Sequence, residues 1–118
     1  MRKRKIYISG PISGTDDWKE RFARAEKHLR VFYSAAGEEI EVVNPATIVM
    51  PESTTWQQYM DITLQILRGC DEIYLLAGWR SSKGAQIERL YALGSGMQVT
   101  HEVGGHHNVN LTNQEEVV

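Results

Sequence analysis

The most apolar run of the sequence, residues 73–77, constrains the fold more than any other stretch. A short run of this kind predicts a strand that is buried on both faces, as in a parallel sheet. The loop that follows it, and the helical pattern at residues 85–93, then lie at the carboxyl end of that strand. Because open α/β sheets bind ligands at the carboxyl ends of their strands, we expect a site in this loop.

The same order of strand, loop and helix recurs along the rest of the chain. Short β-rich runs predict strands at residues 6–8, 39–43 and 97–100. Apolar residues spaced three and four apart predict helices at residues 18–36 and 56–68, each followed by a glycine. Since crossovers between parallel strands are right-handed, this order predicts an α/β fold. We expect a flavodoxin/Rossmann-like three-layer sandwich with a parallel sheet of four to five strands.

The length and composition of the chain fit one domain of this kind. The sequence has 118 residues, of which 42% are hydrophobic and 24% are charged, as in ordinary globular proteins. We expect the α/β domain to cover residues 1–100. Residues 101–118 contain few core-forming side chains and are expected to form a tail that is loosely ordered or lies at a subunit contact.

Charge and cysteine content exclude several classes of function. The net charge of −2 provides no strong field for nucleic acid or a membrane surface, so we expect neither as a partner. A single cysteine, Cys70, excludes an internal disulfide framework. No apolar run approaches a membrane span and no signal peptide is visible, which favours a cytoplasmic protein. The segment 101–106 has one residue too many for the H-E-x-x-H zinc motif, and we expect neither a metal nor a cofactor.

A second candidate binding loop follows the first predicted strand and consists of Ser9, Gly10, Pro11, Ile12, Ser13 and Gly14. Its two glycines and its proline would let backbone N–H groups approach an anion closely. The spacing matches neither the dinucleotide-binding fingerprint nor a Walker A loop. Because the loops after the first and third strands meet at the switch point of a doubly wound sheet, we expect residues 9–14 to face residues 79–88.

An ordered series of motifs in these segments resembles a known family. The series reads K-I-Y-I-S-G-P-I-S-G at residues 5–14, N-P at 44–45, W-x-x-Y-M at 56–60 and C-D-x-I-Y-L-L-x-G-W-x-x-S-K-G-A-x-x-E at 70–88. It is similar to a small domain family of unknown function, frequent in phages and prophages. That family lies within the nucleoside 2-deoxyribosyltransferase superfamily and is related to 2′-deoxynucleoside 5′-phosphate N-hydrolases. The resemblance covers residues 5–100.

This resemblance implies an enzyme that cleaves the N-glycosidic bond of a (deoxy)nucleoside 5′-monophosphate, and a homo-oligomer whose neighbouring chain completes the site. By position, Glu88 matches the glutamate that attacks the anomeric carbon, and Tyr7 matches a tyrosine that orients this glutamate. A carboxylate can form a glycosyl-enzyme intermediate and stabilise an oxocarbenium-like transition state. Structural alternatives remain open, with Glu88 as an acid in the first turn of a helix and Tyr7 as a packed strand residue.

The substrate hypothesis depends on Ser82, six residues before Glu88. The resemblance implies that a serine here holds the 5′-phosphate in the nucleotide hydrolases, whereas the transferases carry an acid. A hydroxyl can donate to phosphate and a carboxylate would repel it, so hydrolysis is favoured over transfer. Further candidate substrate-binding residues, besides the 9–14 loop, are Asn44, Thr63, Trp79 and Gly84, and the rings of Trp56, Tyr59 and Trp79 are candidates for stacking a base.

One departure from the superfamily pattern concerns Thr63, where the resemblance implies an aspartate that handles the departing base. The nearest aspartate, Asp61, lies two residues away and would be rotated by about 200° around the helix. A threonine can form a hydrogen bond but cannot usefully protonate a leaving group. Two hypotheses therefore stay open: an N-glycosidic enzyme, and a catalytically silent nucleotide-binding module of the same fold. A flavodoxin-like redox domain is disfavoured because no flavin-type phosphate loop is present.

Overall fold

The computed structural model describes residues 2–12, 16–103 and 106–111. The strands are β1 (Arg4–Ser9), β2 (Ile40–Val43), β3 (Glu72–Leu75), β4 (Gln98–Val103) and β5 (His106–Leu111). The helices are α1 (Trp18–Ala35), α2 (Trp56–Arg68) and α3 (Lys83–Gly94), and single 3₁₀ turns cover Pro45–Thr47 and Trp79–Ser81. None of the helices in the described ranges is long and apolar enough to cross a membrane.

The strands form one sheet in the order β2-β1-β3-β4-β5. The first four are parallel, and Tyr7 of β1 lies beside Val43 of β2 and Ile73 of β3. With helices on both faces, this arrangement confirms the predicted α/β fold and its parallel sheet. The chain reverses its direction across the sheet between β1 and β3, which places the switch point at the carboxyl ends of these two strands.

The segment after residue 100 differs from the expected loosely ordered tail. Strand β4 continues to Val103, and β5 pairs antiparallel to it. The sequence of β5, HHNVNL, alternates polar and apolar residues only over its last four positions, which is a short signal for a strand. Its backbone pairs with the edge that β4 offers. Residues 104–105 and 112–118 of the expected tail lie outside the described residues.

Two apolar cores cover the two faces of the sheet. On one face, α1 buries residues spaced three and four apart against alternate residues of the strands; the cluster consists of Ile6, Ile8, Phe22, Ala25, Leu29, Tyr33, Ile40, Tyr74 and Leu76. On the other face, α2 and α3 pack in a cluster that consists of Tyr7, Leu67, Cys70, Ile73, Leu75, Trp79, Ala85, Ala92 and Val99. Because side chains alternate along a strand, Tyr7 and Ser9 of β1 both point towards α2 and α3.

The start of α3 differs from its predicted position and changes the interpretation of Glu88. The helix begins at Lys83, two residues earlier than expected, because the Ser82 hydroxyl caps it by accepting from the Ala85 N–H at 3.2 Å. Glu88 therefore lies in the second turn, and the first turn contains no acid. The helix dipole stabilises acidic side chains mainly in the first turn. It therefore does not account for an acid at position 88, as the sequence had allowed.

A buried polar cluster joins β1, β3, β4 and α1 near the amino ends of the parallel strands. Glu72 is fully buried and accepts hydrogen bonds from Arg4 Nη1 at 3.2 Å, the Tyr33 hydroxyl at 3.1 Å and the Thr100 hydroxyl at 2.9 Å. Burial raises the pKa of Glu72, and the Thr100, Tyr33 and Arg4 groups oppose this shift. The carboxylate is thus paired with a cation and two hydroxyls inside the fold.

Gly10 marks a close approach between the segments that follow β1 and β3. A Cβ at this position would lie 2.8 Å from the Cβ of Leu76, an atom fixed directly to the backbone. We expect Gly10→Ala to lower the free energy of unfolding by about 1–3 kcal/mol, measured by urea denaturation, because the two segments would have to separate. Gly94→Ala is the matched control, since nothing lies within 4 Å of its added Cβ. Equal stabilities of the two variants would contradict the close approach.

Candidate functional site

A cavity of about 490 Å³ opens at the switch point, at the carboxyl ends of β1 and β3. Its walls are residues 7–12 at the end of β1 and in the following loop, and residues 81–85 at the start of α3. The segment before α2 and the first turns of α2 close the other side. The loops after the first and third strands therefore meet around one cavity, as the sequence predicts.

Glu88 contributes a buried carboxylate to this cavity, with 6% of the residue exposed. The Tyr7 hydroxyl donates to Glu88 Oε2 and the Ser9 hydroxyl donates to Glu88 Oε1, each at 2.6 Å. The two donors are alternate residues of β1 and so lie on the same face of the sheet. Strand β1 thus fixes the positions of both carboxylate oxygens and the orientation of the carboxylate plane.

The pKa shifts at this site follow from burial. Burial raises the pKa of Glu88, and hydrogen bonds from Ser9, Tyr7 and Thr63 oppose the shift because they stabilise the charged form. Burial and the charge of Glu88 raise the pKa of Tyr7 well above its usual range. They also raise the pKa of Tyr59 to about 12. Both phenols therefore remain protonated donors at neutral pH.

The two buried carboxylates of the sheet have different partners. Glu72 has a guanidinium beside it and does not line the cavity. Among the residues that the structure describes, none forms an ion pair with Glu88, which does line it. Burying an uncompensated carboxylate is costly, and such groups in clefts are typical of functional sites. This difference makes Glu88, rather than Glu72, the candidate functional carboxylate of the sheet.

Thr63 lies behind the cavity wall. It is fully buried and donates to the Met60 carbonyl at 3.3 Å, and its hydroxyl is close enough to Glu88 to lower the pKa of that carboxyl. Asp61 is exposed and lines a shallow surface depression with Gln58 and Ile62. The aspartate therefore faces away from Glu88, as the helix geometry predicts.

Helix α2 instead presents three other side chains to the cavity: Trp56, Tyr59 and Met60. The Lys83 ammonium lies 5.0 Å from the centroid of the Trp56 ring. A Cβ at Gly84 would lie 3.1 Å from Met60 Sδ, so the glycine allows α3 to approach α2 closely. Gly84 and Ser82 both line the cavity, where the sequence analysis expects them among the substrate-binding residues.

Two other candidate residues have structural contacts instead. Trp79 is buried in the core cluster of α2 and α3 and packs beneath the Arg80 and Arg89 guanidiniums at 4.7 and 4.9 Å from its ring. Gly78 adopts a left-handed conformation before the 3₁₀ turn, which directs the indole into the core rather than the cavity. Trp79 was predicted to bind the substrate, but it does not line this cavity.

Asn44 likewise does not line the cavity. Its side chain accepts from the Ala46 N–H at 2.9 Å and donates to Glu26 Oε1 at 3.1 Å, so it caps the 3₁₀ turn and ties it to α1. Within the 9–14 loop, Ser9, Gly10, Pro11 and Ile12 line the cavity. Ser13 and Gly14 lie outside the described residues.

The segment before α2 also lines the cavity, although the sequence did not predict it. Pro45, Met50, Pro51, Thr54 and Thr55 form a wall of the cavity. A signal was present, because Thr55 and Gln58 form a capping box in which each side chain accepts from the backbone N–H of the other. This motif fixes the start of α2 and with it the end of the wall.

The fold and site thus define a small α/β domain with a buried glutamate in a cavity at its switch point. Residues 4–101 match the family described as "Domain of unknown function (DUF4406)", and the chain belongs to this family. No curated protein matches the sequence significantly. The fold is similar to the Trypanosoma brucei CTPS glutaminase domain with bound acivicin, at 16% identity and a TM-score of 0.49. That match covers 85% of this chain and 36% of the other. The resemblance to the deoxyribosyltransferase superfamily stays a prediction.

The burial of Glu88 predicts a pH-dependent stability difference. A carboxyl whose pKa is higher in the folded than in the unfolded chain binds its proton more tightly when folded, so it lowers stability as the pH rises above its unfolded pKa. Glu88→Gln removes this titration. We expect the free energy of unfolding of Glu88→Gln to gain on wild type as the pH rises above about 4.

Denaturation at several pH values measures this difference. Glu52→Gln provides the control, because it makes the same chemical change at an exposed residue in the loop before α2. Parallel pH curves for wild type and Glu88→Gln would contradict the burial of an uncompensated carboxyl.

Proposed function

We propose that this protein cleaves the N-glycosidic bond of a (deoxy)nucleoside 5′-monophosphate, with Glu88 as the nucleophile and with hydrolysis preferred over transfer. The observation that carries the proposal is the Glu88 carboxylate itself. It borders the cavity, both of its oxygens are held at 2.6 Å by hydroxyls of β1, and no ion pair with it occurs in the described part of the chain.

The geometry of this carboxylate suits attack on an anomeric carbon. Tyr7 and Ser9 hold its plane fixed, so little reorganisation is needed when it reacts. An oxygen of Glu88 would bond to C1′ as the bond to the base breaks, giving a glycosyl ester that water then hydrolyses. The low dielectric of a buried site strengthens the attraction between the carboxylate and the developing oxocarbenium ion.

The walls of the cavity support a nucleotide as the ligand. Its volume of about 490 Å³ lies in the range of small-molecule sites. At one end, Ser82, Lys83 and Gly84 form the start of α3, where the backbone N–H groups and the helix dipole favour an anion such as phosphate. The Ser82 hydroxyl can cap Ala85 and donate to a phosphate at once, because a hydroxyl both accepts and donates. Beside the start of α3, Trp56 and Tyr59 of α2 offer rings on which a base could stack.

A catalytically silent nucleotide-binding module is the second candidate function. It is favoured by one observation, namely that a fully buried threonine, Thr63, stands where an acid for the departing base is expected. Such a module would bind a monophosphate without releasing its base. In either case we propose a cytoplasmic homo-oligomer of phage or prophage origin that does not bind nucleic acid.

Base release from a panel of ribo- and deoxyribonucleoside monophosphates, followed by chromatography, tests the proposal. We expect wild type to release a base and Glu88→Gln to lose this activity by roughly three orders of magnitude or more, because the amide cannot act as a nucleophile. Asp61→Asn is the control, since this exposed carboxylate of α2 faces away from the cavity and its loss should leave the rate unchanged.

The outcomes separate the two candidates. Monophosphate binding in a calorimeter without any base release would favour the silent module. Neither binding nor release would eliminate both functions and leave only the fold.

The hydrogen bond from Tyr7 predicts a second kinetic effect. A hydrogen bond to a charged group is worth about 1.5–3 kcal/mol, so Tyr7→Phe should lower kcat by roughly 10- to 100-fold with a smaller change in KM. The Tyr7 hydroxyl also lowers the pKa of Glu88. Without it, the rising limb of the pH–rate profile should move to higher pH.

Tyr33→Phe is the matched control for Tyr7→Phe. It removes another buried phenol that donates to a carboxylate, Glu72, at 3.1 Å, but this carboxylate does not line the cavity. We expect it to reduce stability without moving the pH–rate profile. An equal shift in both variants would show that the effect of Tyr7 is structural only.

A further inference from the structure

We infer that the substrate of this cavity is a nucleoside 5′-monophosphate whose base is cationic and is joined to the sugar through a quaternary pyridinium nitrogen. The inference rests on the function proposed above and names the substrate class for it. Three observations carry it: the ionisable groups that line the cavity, the uncompensated charge of Glu88, and the aromatic wall formed by α2.

The first observation is that the described wall contains no suitable acid for the base. Its ionisable side chains are Tyr7, Tyr59, Lys83 and Glu88. Glu88 is the nucleophile, and the Tyr7 hydroxyl is engaged with it at 2.6 Å. Burial raises the pKa of Tyr59 to about 12, which makes this phenol a poor proton donor. Lys83 leaves α3 about 140° around the helix axis from Glu88 and lies over the Trp56 ring.

A neutral purine or pyrimidine leaves as an anion unless an acid protonates it, whereas a pyridinium base needs no proton. As an oxygen of Glu88 bonds to C1′, the C1′–N bond breaks and its electron pair passes to the ring nitrogen, which becomes neutral. Water then attacks C1′, the ester bond to Glu88 breaks, and one proton of that water goes to solvent. The products are the neutral base and the sugar 5-phosphate, and the carboxylate is regenerated.

The second observation concerns charge. The buried carboxylate at the other end of the sheet, Glu72, has Arg4 Nη1 at 3.2 Å, while no described residue forms an ion pair with Glu88. A pyridinium base, joined to the C1′ that Glu88 attacks and on its far side, would bring a positive charge near this carboxylate when it binds. The charge would disappear when the bond breaks, so the product base would be held more weakly than the substrate.

The third observation concerns the aromatic wall. Trp56 and Tyr59 lie one turn apart on α2 and both border the cavity. The Lys83 ammonium lies 5.0 Å from the Trp56 centroid, so this ring already attracts one cation, and a cationic base would stack on its other face or displace that ammonium. A planar cation would gain both stacking and this attraction, which a neutral base of the same size lacks.

Nicotinamide mononucleotide is the probe, compared with the ribo- and deoxyribonucleoside monophosphates of the common neutral bases. Base release is followed by chromatography, and each rate is divided by the uncatalysed rate of the same compound, which removes intrinsic differences in bond lability. We expect the rate enhancement to be roughly 100-fold greater for the pyridinium nucleotide, and to vanish in Glu88→Gln. Trp56→Leu should raise its KM about tenfold through loss of the ring, while the α2 control Ile62→Ala, whose side chain borders the surface depression instead, should not.

The outcomes distinguish a failure of the inference from a failure of the proposed N-glycosidic function. Larger enhancement for a neutral base would overturn the inference and leave the proposed N-glycosidic function standing. An absence of release from every compound would overturn both. Release from nicotinamide mononucleotide that persists in Glu88→Gln would also overturn both, because the carboxylate would then take no part.

Discussion

Two hydrogen bonds from β1 hold the Glu88 carboxylate, the central group of the proposed site. Tyr7 and Ser9 reach the same carboxylate because side chains of a strand alternate, and the strand that carries them lies in the middle of the sheet. The carboxylate belongs to α3, which packs on that face. A buried charge therefore links the first strand to the last helix of the domain, and the position of each depends on the other.

Glu72 and Glu88 are two buried carboxylates against the same sheet, and they differ in their partners. At the amino ends of the strands, Arg4 and two hydroxyls satisfy Glu72, and the group joins four elements. At the carboxyl ends, hydroxyls alone hold Glu88, so the negative charge stays available at the cavity. The compensated carboxylate thus lies at the amino ends of the strands, whereas the one without an ion pair in the described residues lies where parallel strands meet their loops, the edge at which α/β sheets bind ligands.

Much of the fold could be predicted from periodicity, because buried strands and amphipathic helices leave direct patterns in the sequence. Strand β5 was not predicted, since only its last four residues alternate polar and apolar side chains and it lies at the edge of the sheet. The direction of Trp79 could not be predicted, because it depends on a left-handed glycine and a 3₁₀ turn rather than on hydrophobicity. Glu88 could be predicted from its position in a motif. Its two hydroxyl partners could not, because they depend on how β1 lies against α3 in three dimensions.

Ser82 has two structural roles, as the cap of α3 and as part of the cavity wall. The same hydroxyl ends the loop after β3 by capping α3, and it borders the cavity. A mutation there changes the start of α3 and the wall of the cavity together. Any replacement therefore has to satisfy two requirements at once, the cap of α3 and the polarity of the cavity wall. Short polar side chains that can both cap a helix and meet an anion are the few that do so.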